Sequence, residues 1–187
     1  EKDGVDFWWL DWQQGMFDPK MKNLSNTWWI NYAFFSDMEK RRETRPMLYH
    51  RWGGLGNHRY QVGFSGDAVI SWKSLDFQPY FTSTASNIGY GWWSHDIGGF
   101  EGAYPDPAVY KRWVAFGLLG SHSRMHGSTV YRVPWLFDEE DEKNGVVNAP
   151  GQTAVDVART FTKLKLSLMP YLYQVGLQPH LHGTPVM

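Results

Sequence analysis

The sequence predicts an α/β fold built on a parallel sheet. Short apolar or aromatic segments alternate along the 187 residues with stretches long enough to form helices. Such alternation is typical of parallel strands joined through helices. A hydrophobic content of 42% is enough to bury a substantial core in one domain. Several predicted strands also end near residues able to do chemistry, and parallel α/β folds collect their functional residues at the carboxyl ends of strands.

Four segments have the composition of short buried strands: residues 5–11, 46–51, 60–65 and 88–95. Each is apolar or aromatic and leads into a polar residue or a glycine-rich stretch. We also consider a further strand near residues 118–124. The order of these segments places helices between most of them.

Three helices are expected in the first two thirds of the chain. Residues 24–42 end in a basic run, and cations are favourable at a helix C-terminus. Residues 68–82 form a second candidate, although Pro79 lies inside it. Asp106 followed by Pro107 is typical of a helix start, with a capping side chain and proline at the first helical position.

A final helix is expected over about residues 153–179, with an interruption at Pro170. The acidic stretch before it, residues 137–148, has no apolar period. We therefore predict a solvated loop there.

Charge and composition argue against several classes of partner. The chain has 18 basic and 19 acidic residues, so no basic surface for nucleic acid is expected. No apolar run reaches the roughly 18 residues that a membrane span needs. Without cysteine there is neither a disulfide framework nor a thiolate metal site. His122 and His126 have the i, i+4 spacing of a zinc pair, but Ser123 stands where the catalytic Glu would be, so we predict no metal site.

Each predicted strand ends in or near a residue able to do chemistry, in chain order Asp11, Arg51, Asp67, Asp96 and His126. A pair of carboxylates at two strand ends is the minimum equipment for cleaving a glycosidic bond. Asp11 lies within an aromatic run, and aromatic walls suit the flat C–H faces of sugars. Other interpretations remain open, because Asp11 could be a strand-end cap or a salt-bridge partner and Asp67 could be a helix N-cap.

Several segments taken together resemble the motifs of one enzyme family. They are residues 5–14 (Val-Asp-Phe-Trp-Trp-Leu-Asp-Trp-Gln-Gln), 51–67, 87–100, 123–126, 168–173 and 183–186. The first resembles the nucleophile strand of glycoside hydrolase family 31, the retaining α-glucosidase and α-xylosidase family. The second resembles the long acid/base signature of that family, and the others resemble the motifs that follow it in order. The resemblance covers essentially the whole chain.

This resemblance implies a (β/α)8 TIM barrel, of which the chain would hold roughly strands four to eight. Residues 1–182 would be the C-terminal part of the catalytic barrel, and residues 183–187 would begin a C-terminal β domain. We therefore expect the chain to be a piece of a longer protein whose remainder closes the barrel.

The resemblance also implies a role for each site residue. Asp11 would be the nucleophile and Asp67 the general acid/base. Hydrogen bonds to sugar hydroxyls would come from Arg51, Asp96 and His126, and the walls of the subsite from Trp9, Phe64 and Phe100. Many family members follow the nucleophile with Met-Asn-Glu, whereas here Trp12 and two glutamines follow it. Trp12 is thus a further candidate substrate contact, and it bears on substrate size and linkage.

The implied activity is hydrolysis of terminal α-glycosidic bonds in oligosaccharides by double displacement, which calls for no metal or organic cofactor. The alternative is a carbohydrate-binding protein without turnover, or an inactive fragment of such an enzyme. Retention of both Asp11 and Asp67 argues against a decayed site.

Overall fold

The computed structural model describes residues 4–11, 15–51, 54–102 and 104–187. The strands are β1 (Trp8–Leu10), β2 (Leu48–His50), β3 (Val62–Phe64), β4 (Trp92–Ser94), β5 (Asp96–Ile97) and β6 (Arg124–Met125). The helices are α1 (Asn26–Arg41), α2 (Trp72–Asn87), α3 (Pro107–Leu118), α4 (Pro134–Lys143), α5 (Ala154–Ser167) and α6 (Met169–His182), with a short 3-10 helix at Asn57–Arg59.

All strand pairs in the described sheets are parallel. The first four strands follow the order β1-β2-β3-β4, and β5 pairs with β6. Only His95 separates β4 from β5, so residues 92–97 form one strand path whose first half pairs with β3 and whose second half pairs with β6. The strands therefore occupy five consecutive positions of one parallel array. This confirms the predicted α/β class and the expected part of a (β/α)8 barrel.

The largest cluster of buried apolar residues lies where α3 packs against its neighbours. Trp113 and Val109 are fully buried on α3, and Ile97 from β5 belongs to the same cluster. The Tyr110 and Phe137 rings stack with centroids 3.7 Å apart. A helix that buries one face in this way covers one side of a parallel sheet and holds the strands it contacts in position.

The predicted start of α3 is confirmed in detail. The Asp106 side chain accepts a hydrogen bond from the Val109 amide at 3.0 Å, and Pro107 is the first helical residue. The predicted interruption near Pro170 is also present: α5 ends at Ser167, and Pro170 lies in the first turn of α6. Proline fits there because first-turn amides have no partner within the helix.

The expected loop over residues 137–148 is wrong for residues 137–143, which belong to α4, whereas residues 144–148 lie outside any helix or strand. Phe137 anchors the helix in the core, and Asp141 is buried in an ion pair with Lys111 at 2.9 Å. Asp138 accepts hydrogen bonds from the first amides of α5, including the Val155 amide at 3.1 Å. Two carboxylates of the acidic run, those of Asp138 and Asp141, thus have partners that are distant in sequence.

The bounds of one helix and two strands differ from the expected ones. The second helix begins at Trp72 and continues to Asn87, with Pro79 inside it. The predicted strand over 88–95 is displaced to residues 92–97, because a turn at residues 88–89 follows the helix. The cap of the helix is Ser71, whose hydroxyl accepts a hydrogen bond from the Ser74 amide at 3.1 Å. The predicted strand near 118–124 is reduced to β6 at residues 124–125, because α3 continues to Leu118. Among the described residues, no helix is long and apolar enough to cross a membrane.

Candidate active site

The carboxyl ends of the strands bring the predicted site residues to one edge of the sheet. Asp11 and Arg51 directly follow β1 and β2, and Asp67 lies three residues beyond β3. Asp96 is the first residue of β5, and His126 directly follows β6. Parallel strands in neighbouring positions place these residues side by side, which is the arrangement that active sites of barrel enzymes use.

Arg51 joins the two candidate catalytic carboxylates. Its Nε donates to Asp11 Oδ1 at 2.5 Å, and its Nη2 lies 3.2 Å from Asp67 Oδ1. The arginine side chain is 7% exposed, whereas those of Asp11 and Asp67 are 31% and 25% exposed. The guanidinium is therefore buried behind two carboxylates that still reach solvent. Asp11 does form a salt bridge, as one interpretation of the sequence expected. Because its partner Arg51 also contacts Asp67, the same salt bridge brings the two carboxylates to one guanidinium.

The N-cap interpretation of Asp67 is wrong, since the cap of α2 is Ser71. Asp67 instead lies in a segment that is bound to the next strand end. The Phe100 amide donates to the Ala68 carbonyl at 2.7 Å, and the Ile70 amide donates to the Glu101 carbonyl at 2.8 Å. These bonds hold the loop of Asp67 against the loop that follows Asp96.

Gly66 makes room for Arg51. Its φ of +82° is in the left-handed region, and a Cβ built on it would lie 2.1 Å from Arg51 Nη1. Any other residue would pay the strain of that backbone conformation and would also displace the guanidinium. The absence of a side chain at Gly66 therefore leaves the space that the Arg51 guanidinium occupies.

Asp96 is almost completely buried, with 1% of its side chain exposed. Its Oδ1 accepts a hydrogen bond from Arg124 Nη2 at 2.6 Å. Burial raises the pKa of Asp96 to about 7, and the Arg124 charge opposes that rise. The other oxygen, Oδ2, has no hydrogen-bond partner among the described residues. Asp96 thus has one oxygen bound to Arg124 and one buried oxygen that no described residue hydrogen-bonds.

Aromatic residues form a continuous wall beside these groups. The Trp9 ring lies 5.9 Å from that of Phe64 and 5.0 Å from that of His126. Phe100 stacks on His126 with centroids 5.2 Å apart. Trp9 is 42% exposed, which leaves much of its surface open to a ligand. Trp9 and Phe100 thus flank His126, and Phe64 adjoins Trp9.

His126 is held in its neutral form at ordinary pH. Burial lowers its pKa, the Arg124 charge lowers it further, and the charges of Asp11 and Asp67 oppose the change. A neutral imidazole offers one donor and one acceptor nitrogen, so it can bond a sugar hydroxyl in either direction. Trp12, the remaining predicted contact, lies outside the described residues.

No group of three or more His, Cys, Asp or Glu side chains in the described part of the chain could hold a metal ion. The site is instead a set of carboxylates, guanidinium groups and aromatic rings, which is equipment for binding a neutral polyhydroxylated ligand and for acid–base chemistry on it.

Comparison with protein families assigns the chain. Residues 1–175 match the model described as the glycosyl hydrolases family 31 TIM-barrel domain. The chain belongs to glycoside hydrolase family 31. This confirms the resemblance seen in the sequence motifs.

Two curated family 31 relatives are α-xylosidases. XylQ from Lactiplantibacillus pentosus is 49% identical over 176 residues, which are 91% of this chain and 21% of the relative. An α-xylosidase from Emericella nidulans is 39% identical over 145 residues, 78% of this chain and 17% of the relative. The chain thus spans about a fifth of the length of these relatives.

A solved structure agrees with the barrel fold. The family 31 α-glucosidase from Bacteroides thetaiotaomicron superimposes with a TM-score of 0.78 at 24% identity, over 98% of this chain and 30% of that one.

Two residues of this candidate site were missed by sequence reasoning: Tyr49 and Arg124. Arg124 Nε donates to the Tyr49 hydroxyl at 2.6 Å. Their positions carried a signal, because Tyr49 precedes the strand-end Arg51 by two residues and Arg124 precedes His126 by two. Side chains two residues apart on a strand point to the same face.

Proposed function

We propose that the full-length protein containing this chain hydrolyses terminal α-glycosidic bonds in oligosaccharides with retention of configuration. The observation that carries the proposal is the pair of solvent-reaching carboxylates, Asp11 and Asp67, on the guanidinium of Arg51. Retaining glycosidases need two carboxyl groups close together on either side of the bond that breaks. Membership of family 31 supports the same chemistry.

In the first step, an Asp11 oxygen attacks the anomeric carbon, and the bond from that carbon to the leaving oxygen breaks. Asp67 gives its proton to the leaving oxygen, so the departing sugar is a neutral alcohol. The product on the protein is an ester between the sugar and Asp11. In the second step, Asp67 takes a proton from water while the water oxygen attacks the anomeric carbon and releases Asp11 as a carboxylate.

The remaining site residues bind and orient the sugar in this proposal. Arg51, Asp96 and His126 offer donors and acceptors for hydroxyl groups, while Trp9, Phe64 and Phe100 cover its C–H faces. Trp12 would contact the sugar or its leaving group from the segment after the nucleophile. The double displacement is complete with these groups and calls on no metal or organic cofactor.

The sugar itself has two candidates. An α-glucoside is the general expectation for the family, and an α-xyloside is favoured by the two relatives that are α-xylosidases. The two sugars differ by one hydroxymethyl group, so a pocket separates them by about 1–3 kcal/mol through contacts around that group.

The experiment uses full-length protein with p-nitrophenyl α-glucoside, α-xyloside, α-galactoside and N-acetyl-α-hexosaminides. We expect one of the first two to be cleaved, with the α-anomer appearing first in the proton NMR spectrum. Asp11→Asn should abolish turnover, while Asp156→Asn, a surface change on α5, should not. A β-anomer formed first would contradict retention, and sugar binding without cleavage of any glycoside would favour the non-catalytic alternative.

A further inference from the structure

The guanidinium of Arg124 lies over aromatic rings from three strands. Its guanidinium carbon lies 4.3 Å from the ring centre of Trp9 and 4.9 Å from those of Tyr49 and Phe64. The side chain is 20% exposed. Cation–π contacts of this kind hold a guanidinium more firmly when the site is shielded from water. Arg124 is thus fixed by residues of β1, β2 and β3 although it belongs to β6.

Two hydrogen bonds fix its orientation as well as its position. Nε donates to the Tyr49 hydroxyl at 2.6 Å, and Nη2 donates to Asp96 Oδ1 at 2.6 Å. The planar fork of an arginine can serve both acceptors at once, which a lysine ammonium on a flexible stem does less well. Tyr49 is itself held by stacking on Phe64, with ring centres 4.8 Å apart.

These contacts act on Asp96, whose second oxygen lacks a partner among the described residues. A buried carboxylate in that state is costly unless a charge pairs with it and a ligand completes its hydrogen bonds. Of the charged and titratable groups around it, Arg124 and Arg51 favour the ionised form, and Asp67 and Asp11 disfavour it. Tyr49 and Arg132 also interact with it electrostatically.

We propose that Arg124 is a positioning residue, oriented by Tyr49, that holds Asp96 in place and favours its ionised form, so that its second oxygen accepts a hydrogen bond from a sugar hydroxyl. This rests on the proposed function, since it assigns the sugar to that oxygen. Arg124 itself does not touch the reacting atoms; it acts through Asp96. Its removal should therefore change sugar binding and the pH at which binding is lost.

The test compares pH profiles of kcat/KM for full-length wild type, Arg124→Met and Arg124→Lys on the glycoside that wild type cleaves best. Losing an opposite charge at this distance should move the acid limb of Arg124→Met upward by about one to three pH units. KM at pH 8, where the wild-type Asp96 is mostly ionised, should rise about tenfold or more, because Arg124 no longer holds the carboxylate that accepts the hydrogen bond from the sugar. Arg124→Lys should keep the acid limb of the kcat/KM profile near its wild-type pH, because the positive charge is retained. Its KM should remain above that of wild type, because a lysine cannot make both hydrogen bonds of the arginine as well.

Arg159→Met is the matched control, since Arg159 forms an exposed ion pair with Asp156 on α5. It should leave both KM and the acid limb unchanged. An Arg124→Met protein that melts like wild type and keeps the wild-type acid limb would overturn the proposal. If Arg124→Met does not fold, Tyr49→Phe decides: KM raised about two- to tenfold supports the proposal, and unchanged KM overturns it.

Isothermal titration calorimetry with the free monosaccharide at pH 6 and pH 8 compares the sugar affinity of wild type and Arg124→Met without requiring turnover. Wild type that binds sugar without hydrolysing any glycoside would contradict the proposed function alone. Equal loss of affinity at the two pH values in Arg124→Met would contradict the role proposed for Arg124, whether or not the protein is a hydrolase.

Discussion

At the scale of single residues, the site depends on how closely Arg51 can approach the two carboxylates. A hydrogen bond to a charged group contributes about 1.5–3 kcal/mol, and its strength falls steeply with poor geometry. Gly66 decides that geometry, since its missing side chain is what leaves space for the arginine.

Gly66→Ala in the full-length protein should lower kcat/KM by about a hundredfold or more, because the displaced guanidinium would no longer orient Asp11 and Asp67. The control is Gly151→Ala. Gly151 has nearly the same φ, +81°, but a Cβ there would meet nothing within 4 Å. The two variants share the backbone strain, and only the first produces the clash. Equal kinetics in the two variants would show that the position of Arg51 does not matter.

Asp67→Ala should slow glycosides with poor leaving groups far more than those with activated phenols, because only the former need a proton on the leaving oxygen. Azide should restore part of the turnover on the activated substrate, since it attacks the anomeric carbon without a general base. The measurement is kcat on a matched pair of alkyl and p-nitrophenyl glycosides. Similar losses on both would assign Asp67 a structural role.

At the scale of elements, α2 supports the active edge from behind through a buried histidine. His95, between β4 and β5, lies 3.1 Å from Thr82 Oγ1 and 3.0 Å from Gln78 Oε1, both on α2. Its Nδ1 also lies 3.1 Å from Ser65 Oγ, just before the loop of Asp67. The His95 imidazole thereby connects α2, the strand path of residues 92–97 and the segment that leads to Asp67.

Burial lowers the pKa of His95 to about 4. Because the unfolded chain takes up the proton first, near pH 6.5, this histidine contributes full stability above that pH and loses it as pH falls toward 4. The loss amounts to about 3 kcal/mol in all. His95→Gln should flatten the fall in barrel melting temperature between pH 7 and pH 4.5, as measured by calorimetry. His180→Gln, on an exposed position of α6, should not; equal slopes in both variants would contradict this account.

The elements also show which features a sequence can reveal. The cap at Asp106 and Pro107 was predictable because all its parts lie within four residues. Helix α4 was not, since the cation that pairs with its buried Asp141 is Lys111, 30 residues away in sequence. Arg124 was missed for the same reason, because Tyr49 is 75 residues away. The strand-end residues were predictable because a parallel sheet brings every carboxyl end to one edge.

At the scale of the whole molecule, the described strands form an array with two edges. Within the described ranges, β1 pairs only with β2, and β6 pairs only with β5. Helix α6 has no fully buried residue and exposes large side chains, among them Tyr171, Tyr173 and Leu181. Unpaired strand edges beside exposed apolar surface are sites of association.

The 187 residues expressed alone should therefore aggregate or lack fixed packing, and should show no glycosidase activity despite carrying Asp11 and Asp67. Near-UV circular dichroism, light scattering and an α-glycoside assay measure the three properties. Co-expression with the remainder of the parent chain is the control and should restore order. A monodisperse, active fragment that melts cooperatively would require a self-contained fold in place of part of a barrel.

The most direct test of the whole account is to trap the sugar on the protein. A fluorinated α-glycosyl fluoride forms the glycosyl ester quickly and releases it slowly, so full-length protein should gain the mass of one sugar. After digestion at low pH, mass spectrometry should locate that mass on the peptide that contains residues 5–11, at Asp11, and Asp11→Asn should remain unlabelled. A label on any other residue, or a protein that turns over glycosides without ever carrying a sugar, would contradict the assignment of Asp11 as the nucleophile of a double displacement.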